Sequence, residues 1–156
     1  MESLVSAFLH VAVAGFGLRL AVIDQQFHRL PDRLTGPLAA LVLGWGIVFL
    51  PTARFGAALG EAALTVAVFA LCALMPGRPL GWGDVKLQVG LGFYTAALVP
   101  GGAFIQVVLS FILGGITAGV LLMARAVTPR EGIPLGPPMV AAAFVVAGVA
   151  GSGKII

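Results

Sequence analysis

Two aspartates, Asp24 and Asp84, lie beside apolar stretches of a chain whose mean hydropathy is +1.09. An ionisable group in hydrocarbon is costly, so such a residue is expected to be paired or functional. When two carboxyl groups share one proton, one remains an acid beside a base near neutral pH. Such a pair can activate a water molecule and polarise a peptide carbonyl. The two residues could therefore hydrolyse an amide bond without a metal ion, a cofactor or a covalent intermediate.

The glycines at 81 and 83 fit this chemistry, because they let an extended substrate strand approach Asp84 closely. A substrate helix must unwind before its peptide bond can be attacked. A structural interpretation remains open beside the catalytic one. Asp24 follows one apolar segment and Asp84 precedes another, so both could be helix-terminal residues, and a negative charge suits a helix N-terminus. Spacing alone does not choose between the two interpretations.

The composition is typical of an integral membrane protein. Of the 156 residues, 60% are hydrophobic and 10% are charged, whereas a soluble domain carries roughly 25% charge. The length suits about six spans of roughly 20 residues. We therefore predict an all-α, polytopic membrane protein whose residues 1–156 form a single transmembrane domain.

The sequence shows six apolar segments, at 3–23, 36–51, 55–75, 86–100, 102–124 and 138–150. The second, fourth and sixth are shorter than about 17 residues, so their helices are expected to extend into the flanking interfaces. The first ten residues, MESLVSAFLH, lack the positive region of a signal peptide, and we expect the first segment to be retained.

The basic residues predict how the segments cross the membrane. If all six cross, the connections 24–35, 76–85 and 125–137 share one side. Six basic residues lie on or beside that side: Arg29, Arg33, Arg78, Lys86, Arg125 and Arg130. Two lie on the other side: Arg54 and Lys154. Positive charge marks the cytoplasm, so both termini are predicted outside it. Asp24 and Asp84, 84 − 24 = 60 residues apart, would then meet at the cytoplasmic surface.

Three motifs resemble those of the type IV prepilin peptidases. Asp24, followed by Leu30-Pro-Asp-Arg-Leu-Thr-Gly-Pro37, is similar to the family's first motif, and Gly81-Trp-Gly-Asp-Val-Lys-Leu87 is similar to its GxGDxKL motif. The stretch Ile133-Pro-Leu-Gly-Pro137 resembles its IPxGP motif. The motifs occur in the family's order across nearly the whole chain. Trp82 replaces the commoner methionine and leaves the glycine–aspartate frame intact.

This resemblance implies a GxGD-type aspartyl protease at the cytoplasmic face, with Asp24 and Asp84 as its catalytic pair. Its partners would be a prepilin or pseudopilin, whose short basic leader is removed, and the lipid bilayer. The larger members carry paired CxxC motifs linked to methylation of the new pilin N-terminus. Here Cys72 is the one cysteine, so we predict no methyltransferase activity, as in the short members that serve Tad/Flp-type pili.

Other residues of the first motif and the first apolar segment have competing interpretations. Asp32 is a rival for the first catalytic position, although capping of a turn is the simpler role. Thr35, before Gly36, is interpreted as a helix start. Arg19 would snorkel to the interface or tune the aspartates. His10, fourteen residues before Asp24, is expected to be a packing or interface residue.

Glu61 and Lys86 also remain open. A lone carboxylate in an apolar segment is a functional hypothesis by default, but we favour an interfacial Glu61 near Arg54. Lys86 belongs to the second motif without an assigned role.

Several other function classes are disfavoured or remain as alternatives. The basic residues form no block, which argues against nucleic-acid binding. The stretch from Gly148 to Lys154 satisfies GxxxxGK, but Ile155 replaces the Ser or Thr of a P-loop, so no nucleotide is expected. The alternative is a transporter or assembly factor that uses the aspartates for ions or protons. A protease with other membrane substrates is a further possibility.

Overall fold

The computed structural model describes residues 2–27, 29–76, 80–125 and 134–151. These residues form six α-helices and no strand, which confirms the all-α prediction. In chain order the helices are α1 (Glu2–Phe27), α2 (Asp32–Phe49), α3 (Thr52–Leu74), α4 (Trp82–Leu98), α5 (Gly102–Met123) and α6 (Gly136–Gly151).

Four helices, α1, α2, α3 and α5, are long and apolar enough to cross a membrane. The other two, α4 and α6, have 17 and 16 residues, which is about 25 Å of helix at 1.5 Å per residue. Large apolar side chains such as Phe8, Val11 and Ile116 are exposed on the outer surface, as expected where helices contact lipid. The chain is a polytopic α-helical membrane protein.

Helix α4 lies at the centre of the bundle. It contacts α2, α3, α5 and α6, whereas α1 packs against α2 and α6. Nearly all of α4 after its first turn is buried, including every residue from Gly90 to Ala97. A helix that is apolar all round is expected to be enclosed by other helices. The helix that carries Asp84 is therefore held on several sides.

Two charged residues of α3 fix the turn between α4 and α5. Arg54 Nη2 donates a hydrogen bond of 2.6 Å to the Ala96 carbonyl at the end of α4. Glu61 accepts hydrogen bonds from the N–H groups of Gly101, at 3.0 Å, and Ala103, at 2.7 Å. Each charge therefore lies at the helix end whose dipole it complements. These contacts give Glu61 a structural role at the start of α5.

The structure corrects the predicted start of the second helix. The sequence predicts a helix start at Thr35, but α2 begins at Asp32 and Thr35 lies inside it, 3% exposed. The extended backbone of Pro31 ends the connection (φ −73°, ψ 134°). Hydropathy alone places this polar first turn in the connection, because it detects apolar residues and not the start of a helix. The predicted extension of the short second segment is thereby confirmed.

Some sequence-based predictions fall outside the described residues. Arg78, Arg130 and Lys154 belong to this group, as do Ile133 of the third motif and the last residues of the P-loop-like stretch.

Candidate active site

Asp24 and Asp84 line the same cavity, although they lie on different helices. Asp24 is one turn before the end of α1, and Asp84 is in the first turn of α4. The cavity has a volume of about 280 Å³ and is lined by Asp24, Arg29, Leu30, Gly81, Trp82, Gly83 and Asp84. The structure thus brings together two carboxyl groups that sequence analysis assigned to one surface.

Asp84 is held at the N-terminus of α4. Its Oδ2 accepts a hydrogen bond of 3.2 Å from the Gly81 N–H, and its own N–H donates to the Gly81 carbonyl at 3.1 Å. A carboxylate is favoured at this end of a helix by the helix dipole. Asp84 is therefore a helix-terminal residue, as the structural interpretation proposed. Its carboxyl group also lines the cavity, so this position is compatible with catalysis.

Asp24 is buried, with 5% of its surface exposed. Its Oδ2 accepts a hydrogen bond of 2.9 Å from the N–H of Gly136, the first residue of α6. The two groups meet so closely that a Cβ added at position 136 would lie 2.7 Å from that oxygen. The third motif thus supplies a backbone donor to the aspartate that opens the first motif.

The second motif is also packed against the first. A Cβ added at Gly83 would lie 2.9 Å from the Leu30 Cβ and 3.3 Å from the Leu30 nitrogen. Only a residue without a side chain fits at that separation. Gly83 therefore lets the connection after α1 lie directly against the start of α4, which is what joins the two sides of the cavity.

The carboxyl of Asp84 is electrostatically coupled to that of Asp24. Asp84 lies outside the four helices long enough to cross a membrane. Its pKa is raised from 3.8 to about 6, with burial as the largest cause, the charge of Asp24 as the second, and the Gly81 N–H acting in the opposite direction. Asp84 therefore keeps its proton to a higher pH, about 6, than an isolated aspartate would.

The rival aspartate lies outside this cavity. Asp32 Oδ1 accepts a hydrogen bond of 2.6 Å from Lys86 Nζ, and their side chains are 71% and 49% exposed. The ion pair joins the start of α2 to the first turns of α4. Exposed pairs of this kind stabilise a fold by only about 0–1 kcal/mol. Asp32 and Lys86 are thus paired with each other, and Asp32 does not line the cavity of Asp24 and Asp84.

Two features of the cavity were missed by sequence analysis. The first is Arg29, used above only to predict orientation, which lines the cavity; Arg19 is exposed on α1 and does not line it. The second is the hydrogen bond from Gly136 to Asp24, which the third motif does not predict. The available signal was a glycine at position 136, at the start of a helix. Because the donor is a backbone N–H group, the sequence does not indicate which side chain accepts its hydrogen bond. His10 lies apart from the cavity and is hydrogen-bonded to Tyr94 Oη at 2.6 Å.

A second, larger cleft is lined by residues that neighbour Asp24 and Gly136 in the chain. It has a volume of about 520 Å³ and is lined mainly by apolar residues of α5 and α6: Leu113, Leu121, Pro137, Pro138 and Ala141, with Gln25, Thr117 and Pro134. Gln25 follows Asp24 in the chain, and Pro137 follows Gly136. An apolar surface thus lies next to the residues that hold Asp24.

Known proteins resemble this chain over most of its length. The family model described as "Type IV leader peptidase family" matches residues 11–152. "Leader peptidase HopD" of Escherichia coli is 30% identical over 145 residues, which cover 87% of this chain and 89% of that protein. No solved structure matches the chain.

Longer relatives, including the two described next, are named "Prepilin leader peptidase/N-methyltransferase". The protein from Xanthomonas campestris is 28% identical over 140 residues, covering 87% of this chain and 48% of its own length. The protein from Escherichia coli K12 is 32% identical over 130 residues, covering 78% and 54%. The chain thus spans about half the length of these two relatives. Because the family model covers 142 of the 156 residues (152 − 11 + 1), the chain belongs to the type IV leader peptidase family.

Proposed function

We propose that this protein is an aspartic endopeptidase that removes the leader from pilin-like precursors at the cytoplasmic face of the bacterial inner membrane. Asp24 and Asp84 are its catalytic residues. The observation that carries the proposal is their shared cavity, because residues 60 positions apart (84 − 24) line it together. The names of the relatives, which include leader peptidases and prepilin leader peptidases, support the choice of substrate.

The pair acts by general acid–base catalysis. The ionised carboxylate takes a proton from a water molecule as the water oxygen bonds to the peptide carbonyl carbon. The protonated carboxyl group donates its proton to the carbonyl oxygen. In the tetrahedral intermediate, one hydroxyl group then gives its proton to the ionised carboxylate while the protonated carboxyl group donates its proton to the nitrogen. The C–N bond breaks, the amine leaves, and the pair again holds one proton. Because coupled groups titrate together, we assign the two roles to the pair and not to individual residues.

The environment of each aspartate suits this division of protons. The Gly136 N–H donates a hydrogen bond of 2.9 Å to Asp24 Oδ2. Burial and the charge of Asp24 raise the pKa of Asp84 to about 6. The two carboxyl groups can therefore hold one proton up to a higher pH, about 6, than an isolated aspartate would.

The cleft beside the site fits a substrate with an apolar segment next to its cleavage point. Its lining is mostly apolar, and Gln25 and Pro137 connect it to Asp24 and Gly136 along the chain. A substrate helix that lies there must unwind at the cavity, where freed backbone groups can bond to polar side chains. The cytoplasmic assignment of this end rests on basic residues such as Arg29, Arg33 and Lys86.

The raised pKa of Asp84 predicts a pH-dependent stability. Its folded-state value of about 6 exceeds its ordinary 3.8, so the folded protein favours the protonated form. The resulting stabilisation is fully present below pH 3.8 and is lost as the pH rises through about 6. We expect the Tm of the wild-type protein in detergent to fall over this range relative to that of Asp84→Asn. An Asp32→Asn control should keep the fall, and equal pH profiles for wild type and Asp84→Asn would contradict the raised pKa of Asp84.

Co-expression with a candidate pilin precursor tests the proposed function. We expect the precursor to shift to a faster band on a gel, with the new N-terminus at the leader junction by mass spectrometry. A protein that cleaves no pilin but carries an Asp84-dependent ion flux in proteoliposomes would instead be a transporter. The proposal covers cleavage alone and assigns no methyltransferase activity to these 156 residues, which hold one cysteine.

A further inference from the structure

We infer that Gln88 and Gln106 are positioning residues, whose buried side-chain hydrogen bond fixes Asp84 opposite Asp24. This inference rests on the proposed function and concerns the same site. Gln88 lies on α4 one turn after Asp84, and Gln106 lies on α5. Both side chains are fully buried, at 0% exposed. Neither residue lies within the three motifs.

The two amides connect four helices. Gln88 Nε2 donates to Thr65 Oγ1 on α3 at 3.2 Å and to Gln106 Oε1 at 3.0 Å. Gln106 Nε2 donates in turn to Ser110 Oγ at 3.1 Å and to the Met139 carbonyl on α6 at 3.4 Å. We call these contacts the amide relay; it runs from α3 through α4 and α5 to α6.

The relay connects the helix that carries Asp84 to the helix that is hydrogen-bonded to Asp24. Met139 lies one turn after Gly136 on α6, and the Gly136 N–H donates to Asp24. Gln88 lies one turn after Asp84 on the other side. The relay therefore ties the helix that presents Asp84 to the helix that holds Asp24. A shift between α4 and α6 would change the separation of the two carboxyl groups.

The relay also carries a cost that packing alone does not explain. Among the described residues, Gln88 Oε1 is buried without a hydrogen-bond partner. Such an acceptor is expensive away from water, and a buried group of this kind needs an explanation. An apolar side chain of similar length at position 88 would avoid the cost. The amide is therefore better explained by the specific alignment of helices that its Nε2 enforces.

The double variant Gln88→Met/Gln106→Met separates positioning from stability. Replacing both partners by apolar side chains of similar length leaves no new unpaired amide, so the fold should keep its Tm. A positioning role predicts a kcat about 10- to 100-fold lower with little change in KM, since small misplacements of reacting groups are costly. Wild-type kcat in the folded double variant would overturn the inference.

A second variant, Gly92→Ala, keeps every polar side chain of the relay and disturbs only the positions of these side chains. A Cβ at Gly92 would lie 2.8 Å from Gln88 Nε2 and 3.2 Å from Thr65 Oγ1, whereas a Cβ at Gly60 on α3 meets nothing within 4 Å. Gly92→Ala should lower kcat, and the matched Gly60→Ala should not. Equal kcat values for these two variants would contradict the inference, even if the double variant failed to fold.

The pH dependence of Tm gives a readout that does not need cleavage. If the relay variants move Asp24 away from Asp84, burial still raises the pKa of Asp84 but the second cause, the charge of Asp24, is weakened. The pKa should then fall part of the way from about 6 toward 3.8. The pH range of the Tm change should then move down in the relay variants but not in Gly60→Ala. An unmoved range would overturn the inference alone, whereas a wild-type protein that cleaves no pilin precursor would overturn the proposed function alone.

Discussion

Asp84→Asn is expected to lower the rate of leader cleavage by about 10²- to 10⁴-fold, the usual contribution of a general acid or base. Asparagine has the same shape as aspartate and can still accept the Gly81 N–H, so α4 should begin normally. It cannot carry the proton that the pair shares. The rate is measured with purified protein in detergent and a pilin precursor, and the Tm of the variant should stay at or above that of the wild type at neutral pH.

The sequence offers a matched control at Asp32. This aspartate belongs to the first motif but is exposed, paired with Lys86 and outside the cavity of Asp24 and Asp84. Asp32→Asn should therefore affect cleavage far less than Asp84→Asn, and Asp24→Asn should match Asp84→Asn. If Asp32→Asn abolished cleavage while Asp24→Asn left it unchanged, the first catalytic position would belong to Asp32.

Gly136→Ala is expected to lower kcat by about 100-fold, the effect of misplacing a catalytic group by roughly 1 Å. The new Cβ would lie 2.7 Å from Asp24 Oδ2 and 3.2 Å from the Asp24 Cβ. Either the carboxylate or the start of α6 must move, and the hydrogen bond from the position 136 N–H is strained in both cases. Single-turnover cleavage rates, compared with Tm, distinguish this loss from unfolding.

Gly148→Ala provides the control for this substitution on the same helix. A Cβ at position 148 meets nothing within 4 Å, and alanine is the better helix former. This variant should cleave at the wild-type rate with an unchanged or higher Tm. Equal rates for Gly136→Ala and Gly148→Ala would mean that the backbone donor does not position Asp24.

The sequence predicted the architecture well because hydropathy dominates in a membrane protein. Six apolar segments correspond to the six helices. The predicted start of the second helix is wrong because capping and backbone conformation, and not hydropathy, determine where a helix begins. Pro31 ends the first connection, and the polar Asp32 and Arg33 form the first turn of α2, so Thr35 is an interior residue and not a helix start.

The site was predictable only where side-chain chemistry is written in the sequence. Asp24 and Asp84 could be singled out because a carboxyl group in an apolar chain is costly. The hydrogen bond from Gly136 is made by the backbone, and the Gln88–Gln106 contact depends on how α4 and α5 face each other. Neither has a local sequence signal, because each depends on the packing of helices that are distant in the chain.

The convergence of Asp24 and Asp84 is tested most directly by cysteine cross-linking in membranes. The chain has one cysteine, so Asp24→Cys and Asp84→Cys can be combined with Cys72→Ser to leave two thiols. We expect a short bifunctional thiol reagent to join them within one chain, and both thiols to react with an impermeant label from the cytoplasmic side only. Thiols that react from opposite sides of the membrane, and that no short reagent joins, would contradict a shared catalytic site.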